Sequence, residues 1–194
     1  MPGVQFLFTT SKINPSDLRA IIASTGPGSF TGLRVGLSAA KGMAQALQIP
    51  IIGVSSLEAM AGQLPWVTHP ICPLIDSRKG EVFAALFRWG DHQTLERVKE
   101  DICLKIEDLP AMIEETTLFL GNDFGNQGPL IRELLGDKAC LAPASFWHVR
   151  ASLTGAVGLK RLKRNDFDDV GSLVPTYFRP LDIRPNPYPP VSEP

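Results

Sequence analysis

Residues 26–34, Gly-Pro-Gly-Ser-Phe-Thr-Gly-Leu-Arg, have the makings of a loop that holds an anion or forms a rigid docking corner. Gly26, Gly28 and Gly32 allow close backbone approach, Pro27 fixes one φ, and Ser29 and Thr31 can cap a following helix. Phe30 and Arg34 complete the set of candidate residues. Unpaired N–H groups at the helix start would face whatever the loop holds. A turn that only caps a helix uses the same residues equally well. Spacing excludes the familiar chemistries. The third glycine falls one residue late for G-x-G-x-x-G, and no G-x-x-x-x-G-K-[ST] occurs. Ser29 stands between Pro27 and Thr31 where a G-x-S-x-G elbow would need glycines.

A second candidate is 76–81, Asp-Ser-Arg-Lys-Gly-Glu, whose Asp76 and Glu81 would make an acid/base or metal pair if a hairpin brought them together. An ordinary charged surface turn accounts for them as well. His69, His92 and His148 lie far apart, with no i, i+4 pair for a metal on a helix. Cys72, Cys103 and Cys140 are scattered and odd in number, which suits small buried residues in a reducing compartment.

The elements that must position these residues follow from periodicity. Met1, Val4, Leu7 and Phe8 recur at helical spacing. An Asn-Pro-Ser turn at 14–16 leads to a buried strand at 20–24, and the loop then opens a helix over 33–48. A strand at 50–54 completes a βαβ unit. Ser55 and Glu58 fit a capping box for a helix through about residue 63. A lobe boundary is expected near Trp66, dividing the chain into 1–66 and 67–194. Strands are expected at 71–75 and 82–89, a charge-interleaved ribbon at 91–105, a short helix at 107–115 and a strand at 117–120. The glycine- and amide-rich stretch 121–128 reads as a loop before a helix at 130–135. The last helix spans about 147–164, and the tail from Pro175 is too rich in proline for regular structure.

The helix at 33–48 carries small and apolar residues on two sides: Gly36, Ala39, Ala40, Met43 and Leu47 along one, Val35, Leu37, Ala44 and Ala46 along the other. A helix apolar on two sides has two partners, the second of them another chain.

The chain has 194 residues, 44% of them hydrophobic, enough to bury a sizeable core, with 17 Gly and 17 Pro to interrupt it. With 19 basic against 20 acidic residues it lacks the broad positive field of an independent nucleic-acid binder. No apolar run reaches membrane-span length, and the first residues lack the layout of a signal peptide.

The run 18–61, with GPGSFTGLRVGLSAAKG followed by IPIIGVSSLEAMA, closely resembles the bacterial TsaB family, also called YeaZ. PLIDSRKGEVFAALF (73–87), LFLGND (118–123) and PTYFRP (175–180) match the same family in the same order. The resemblance implies an α/β, actin-like ATPase (ASKHA) fold of two lobes that has lost its own catalysis and needs no cofactor. It implies a cytoplasmic scaffold subunit in the formation of N6-threonylcarbamoyladenosine on tRNA. Its implied partners are the catalytic paralogue TsaD as a heterodimer and the ATPase TsaE, with tRNA met through the complex and a homodimer also possible. The partner interface implied comprises Val4, Leu7, Phe8, Val35, Gly36, Ala39, Ala40 and Met43. For Asp76, Arg78, Gly80 and Glu81 the resemblance favours a structural or partner-facing role, with Arg78 as the contact. No catalytic or metal residue is implied, and the H-x-x-x-H pattern of the TsaD paralogue is absent. The basic cluster Lys160, Arg161, Lys163 and Arg164 serves the dipole of the last helix or a tRNA or partner contact. The alternative is an ATP-dependent phosphotransferase or ATPase of the same fold, which would need a phosphate loop on an opening hairpin. A peptidase, as older names in the superfamily suggest, has no metal cluster or Ser/His arrangement behind it. The match begins at the first helix, and three strands that the family places before it have no counterpart. The first lobe is therefore expected to be N-terminally incomplete and the reading frame to continue upstream.

Overall fold

The computed structural model describes residues 2–78, 80–91 and 94–178, Arg78 by its backbone only. Helix α1 (Pro2–Ser11) buries none of its residues. Strands β1 (Ile21–Gly26) and β2 (Ile51–Ser55) pair in parallel from Ile21↔Ile51 to Ser24↔Val54, with α2 (Phe30–Leu47) between them in the chain. That is the expected βαβ unit, and both faces of its small sheet are covered. On one side Leu37, Ala40 and Ala44 of α2 pack with Ile51, Ile21 and Ala23. On the other, Ile52, Val54 and Ile22 meet α3 (Ser56–Ala61) at Ala59 and α5 (Ala151–Leu162) at Val157 and Leu162. Beyond α5 the backbone returns to the same sheet. Asp168 N–H donates to the Ile51 carbonyl at 3.0 Å, and Thr176 N–H to that of Thr25 at 2.8 Å.

The second sheet has the order β5-β4-β3-β6-β7. Strands β3 (Ile71–Arg78), β4 (Glu81–Trp89) and β5 (Leu95–Lys105) form an antiparallel meander. Strands β6 (Thr117–Gly121) and β7 (Ala139–Leu141) continue it in parallel on the far side of β3. One face buries Ile71, Phe87 and Leu120 against Leu57, Met60 and Ala61 of α3. The opposite face buries Leu74 and Phe119 against Leu109, Ile113 and two residues of α4 (Phe124–Leu135), Phe124 and Ile131. Helix α3 thus serves two cores at once, giving Ala59 to the first sheet and its other apolar residues to the second. The long edge strand β5 is broken by two register shifts opposite 84–87, which twist it away from further pairing.

Several expectations shift. Helix α2 begins at Phe30, because Ser29 caps it by accepting from Gly32 N–H at 3.3 Å, and so Thr31 and Gly32 are helical. Ser55 does cap α3 through Glu58 N–H, but the helix stops at Ala61. Gln63 is left to donate to the Phe146 carbonyl at 3.2 Å. Pro110 holds the segment after β5 to tight turns over Ile106–Met112 in place of an α-helix. The stretch read as a loop at 121–128 is mostly helix, since burial of Phe124, Gln127 and Gly128 outweighs the loop-forming preference of its glycines and amides. The last helix is shorter than expected at both ends, and β7, only three residues long, gave no periodic signal. Met1, Lys79, His92 and the tail from residue 179 lie outside the described residues.

Candidate functional site

The loop after β1 is braced from two sides. At its base Ser24 Oγ shares a 2.6 Å hydrogen bond with Ser56 Oγ and accepts from Gly26 N–H at 3.3 Å, tying the loop to the first residue of α3. Gly26 has φ +110°, a conformation that calls for glycine, and a Cβ there would also press on the tip of the Leu33 side chain at 3.0 Å. Gly26 and Pro27 are buried, whereas Gly28, Ser29, Phe30, Thr31, Gly32 and Arg34 are exposed. Arg34 lies 3.9 Å above the Phe30 ring and donates from Nε to Tyr177 Oη at 2.7 Å. The Phe30 and Tyr177 rings are 5.6 Å apart. About two helical turns further on, Lys41 Nζ donates to the carbonyls of Gly171 (3.1 Å) and Leu173 (2.9 Å). The segment beyond α5 therefore straps the start of α2, presenting a firm exposed corner of arginine and two aromatic rings.

Toward the other end of α2, Val4 and Phe8 of α1 and Met43 and Leu47 of α2 line an apolar groove of about 460 Å³, with Gln5 and Ala46. Leu7 and Val35 are each 64% exposed, Gly36 is exposed and Ala39 half-buried. Ala40 belongs instead to the chain's own core, beside Leu37, Ala44 and Ile51. The two apolar sides read from the sequence do not divide as read: Leu37 and Ala44 of one side and Ala40 of the other pack with β1 and β2, while Met43 and Leu47 of one side and Ala46 of the other line the groove with α1, and Val35 is exposed.

The hairpin is tighter than the sequence suggested. Asp76, Arg78 and Glu81 are strand residues, and Gly80 turns with φ +77°. Asp76 stands opposite Val82 and Glu81 opposite Arg78, so the two carboxylates are not brought together as a pair. Asp76 N–H donates to Asn122 Oδ1 at 2.9 Å, and Glu81 Oε2 lies 3.9 Å from Cys103 Sγ. Among the described residues no group of three or more His, Cys, Asp and Glu could hold a metal ion. Burial pushes the Cys72 thiol far above its ordinary range, leaving it an inert core residue.

Sequence reasoning missed a clasp at the far end of α5. Arg161 donates to Asp166 from Nε and Nη2, both at 2.8 Å, to Asp168 and to the Gly53 carbonyl. Its pKa is raised, chiefly by the hydrogen bond to Asp166, and that of Asp166 is lowered by the same bond. Of the basic cluster Lys160, Arg161, Lys163 and Arg164, Arg161 is thus bound in the clasp, while the other three are exposed. No spacing signal links Arg161 to Gly53. Tyr177, by contrast, lies within PTYFRP.

The family model described as TsaD, tRNA N6-adenosine threonylcarbamoyltransferase, matches residues 1–144. The tRNA threonylcarbamoyladenosine biosynthesis protein TsaB of Bacillus subtilis is 35% identical over 182 residues, 92% of this chain and 77% of that protein. TsaB of Escherichia coli is 40% identical over 96 residues, 48% of this chain and 39% of that protein. In structure, YeaZ from Pseudomonas aeruginosa matches with a TM-score of 0.76 at 22% identity, covering 91% of this chain and 81% of that one. A second solved structure from Pseudomonas aeruginosa, described as a protein with similarity to peptidase YEAZ, matches with the same TM-score of 0.76 at 21% identity, covering 92% of this chain and 82% of that one. These matches agree with an actin-like α/β fold, and by the extent of the family model and of the Bacillus alignment the chain belongs to the TsaB family.

Proposed function

We propose that the chain is a noncatalytic subunit for the formation of N6-threonylcarbamoyladenosine on tRNA, working in the cytoplasm beside a TsaD-like catalytic paralogue and a TsaE-like ATPase. The observation that carries this reading is the alignment with Bacillus subtilis TsaB over 92% of the chain, since that relative is named for the pathway. The relatives named for this modification favour it over an ATPase or phosphotransferase of the same fold. The exposed apolar groove between α1 and α2, with Leu7 and Val35 beside it, suits a protein partner. Val4, Leu7, Phe8, Val35, Gly36, Ala39 and Met43 would form the contact. Asp76, Gly80 and Glu81 would remain structural. The lobes would divide near residue 66, with α3 packed between them.

The test is co-elution of the purified chain with the TsaD-type protein of its own organism, together with an ATP hydrolysis assay on the chain alone. A stable complex and no turnover are expected. Turnover that survives removal of contaminating ATPases would restore the phosphotransferase reading.

A further inference from the structure

Charge in this chain is balanced overall but not evenly spread. Residues 138–165 contain Lys138, Arg150, Lys160, Arg161, Lys163 and Arg164 and not one Asp or Glu. Arg161 turns inward to the clasp, where it also occupies Asp166, the flanking acid that feels the Arg164 charge. Lys160, Lys163 and Arg164 are exposed, the two lysines on the outer stripe that Ser152, Ala156 and Leu159 also occupy at helical spacing. Lys160 Nζ sits 5.4 Å above the Trp89 ring.

Compensation of the helix dipole accounts for cations in the last turn but not for one at the opposite end. Arg150 is the N-cap residue of α5, where a positive charge meets the positive end of the dipole. It is held there by Gln63, whose Oε1 accepts from Arg150 Nη2 at 3.0 Å. Gln63 also donates to the Phe146 carbonyl, and the Phe146 ring stands edge-on to Trp66 with centroids 6.3 Å apart. Trp66 is 68% exposed. This face therefore carries exposed cations at the two ends of a helix of about 18 Å, Arg150 at its start and Lys160, Lys163 and Arg164 at its close, with the exposed Trp66 indole linked to the N-terminal end through Phe146 and Gln63.

We propose that this face binds the phosphate backbone of an RNA, with Trp66 offering its ring to an unpaired base. Three clustered cations at one end of the helix and a fourth at the other, with no acid between residues 138 and 165, match a polyanion, and an exposed ring suits unstacked bases. The proposal rests on the tRNA reading above and gives this chain a direct part in holding the substrate.

The test is fluorescence anisotropy of a labelled, unmodified tRNA transcript with the full chain across a salt series. Wild type should bind with affinity that falls steeply as salt rises. The triple variant Lys160→Glu, Lys163→Glu, Arg164→Glu should bind about tenfold more weakly or worse at about 100 mM salt, with a log–log slope shallower by about 2. Trp66→Ala should weaken binding several-fold with the slope unchanged. Lys105→Glu with Arg132→Glu, both exposed and on other elements, should change neither. Wild-type affinity in a triple variant shown to be folded by circular dichroism would overturn the proposal. So would absence of salt-dependent RNA binding by wild type, or a triple variant that loses only binding to an acidic polypeptide such as polyglutamate. If the chain fails to support threonylcarbamoyladenosine formation while the triple variant loses RNA affinity, the functional reading falls and this surface stands.

Discussion

Arg161 closes on Asp168 with two bonds, Nη1 to Oδ2 at 3.0 Å and Nη2 to Oδ1 at 3.2 Å. The same Oδ2 accepts from Gly53 N–H at 2.7 Å, and Nη1 donates to the Gly53 carbonyl at 2.9 Å. One ion pair therefore fixes the middle of β2, the end of α5 and the start of the returning segment. Both side chains are about 30% exposed, so screening reduces the Coulomb part, but the Gly53 N–H loses its acceptor if the carboxylate goes. Asp168→Ala should cost about 2–3 kcal/mol in urea unfolding. Asp168→Asn, which keeps one acceptor, should cost less.

Gly158 lets α5 lie directly on β1: a Cβ there would overlap the Ile22 side chain. Gly158→Ala should destabilise the protein by about 1–3 kcal/mol despite its better helix propensity, because the added methyl overpacks the contact. Thermal melts would show it, and Ile22→Ala, which removes the overlapping Cγ atoms, should cost less in the Gly158→Ala background than in wild type. Full stability in the single variant would mean that α5 does not approach the sheet this closely.

Asp169 accepts from Ser172 N–H at 2.7 Å, and that backbone bond is the main cause holding its carboxyl below the usual value. A depressed carboxyl pKa contributes stability that is complete above the unfolded value of about 3.9 and is lost as pH falls through the folded value. Asp169→Asn should therefore be less stable than wild type at neutral pH, and the gap in denaturation midpoint should close below about pH 4. A gap that is constant with pH would assign the effect to the side chain's shape instead of its charge.

Much of the fold was legible because it is locally consistent. The apolar strand at 20–24, the glycine loop, the long helix and the next strand all pointed to the βαβ unit that β1, α2 and β2 form. What failed was decided by distant contacts. Phe124 drew the glycine-rich stretch into helix by entering the second core, and Gln63 left α3 to hold Phe146. Of the site, the loop and the apolar helix were visible in residue type and spacing. The strap from Gly171 to Tyr177 and the clasp's bonds to Gly53 were not, since they join residues more than a hundred positions apart through side chains that carry no periodic mark. The burial of Ala40 was equally hidden, because a small residue on a helix apolar on two sides fits either side.

That burial separates two substitutions that the sequence treats alike. Ala40→Glu would put an unpaired carboxylate into the chain's own core and should unfold it, at a cost of about 3 kcal/mol or more. Val35→Glu lies on the exposed side and should leave the melting transition within about a degree or two while abolishing co-elution with the TsaD-type partner. Unimpaired co-elution of a folded Val35→Glu chain would remove this helix from the interface.

The most direct measurement is the content of N6-threonylcarbamoyladenosine in bulk tRNA, by mass spectrometry of nucleosides, from bacteria depleted of their own TsaB and supplied with this chain together with the TsaD- and TsaE-type proteins of its organism. Restoration of the modified nucleoside to near the undepleted level, and its loss when only this chain is withheld, is the predicted result. Modified tRNA at the depleted level despite a folded, abundant chain and active partners would contradict a role in this modification.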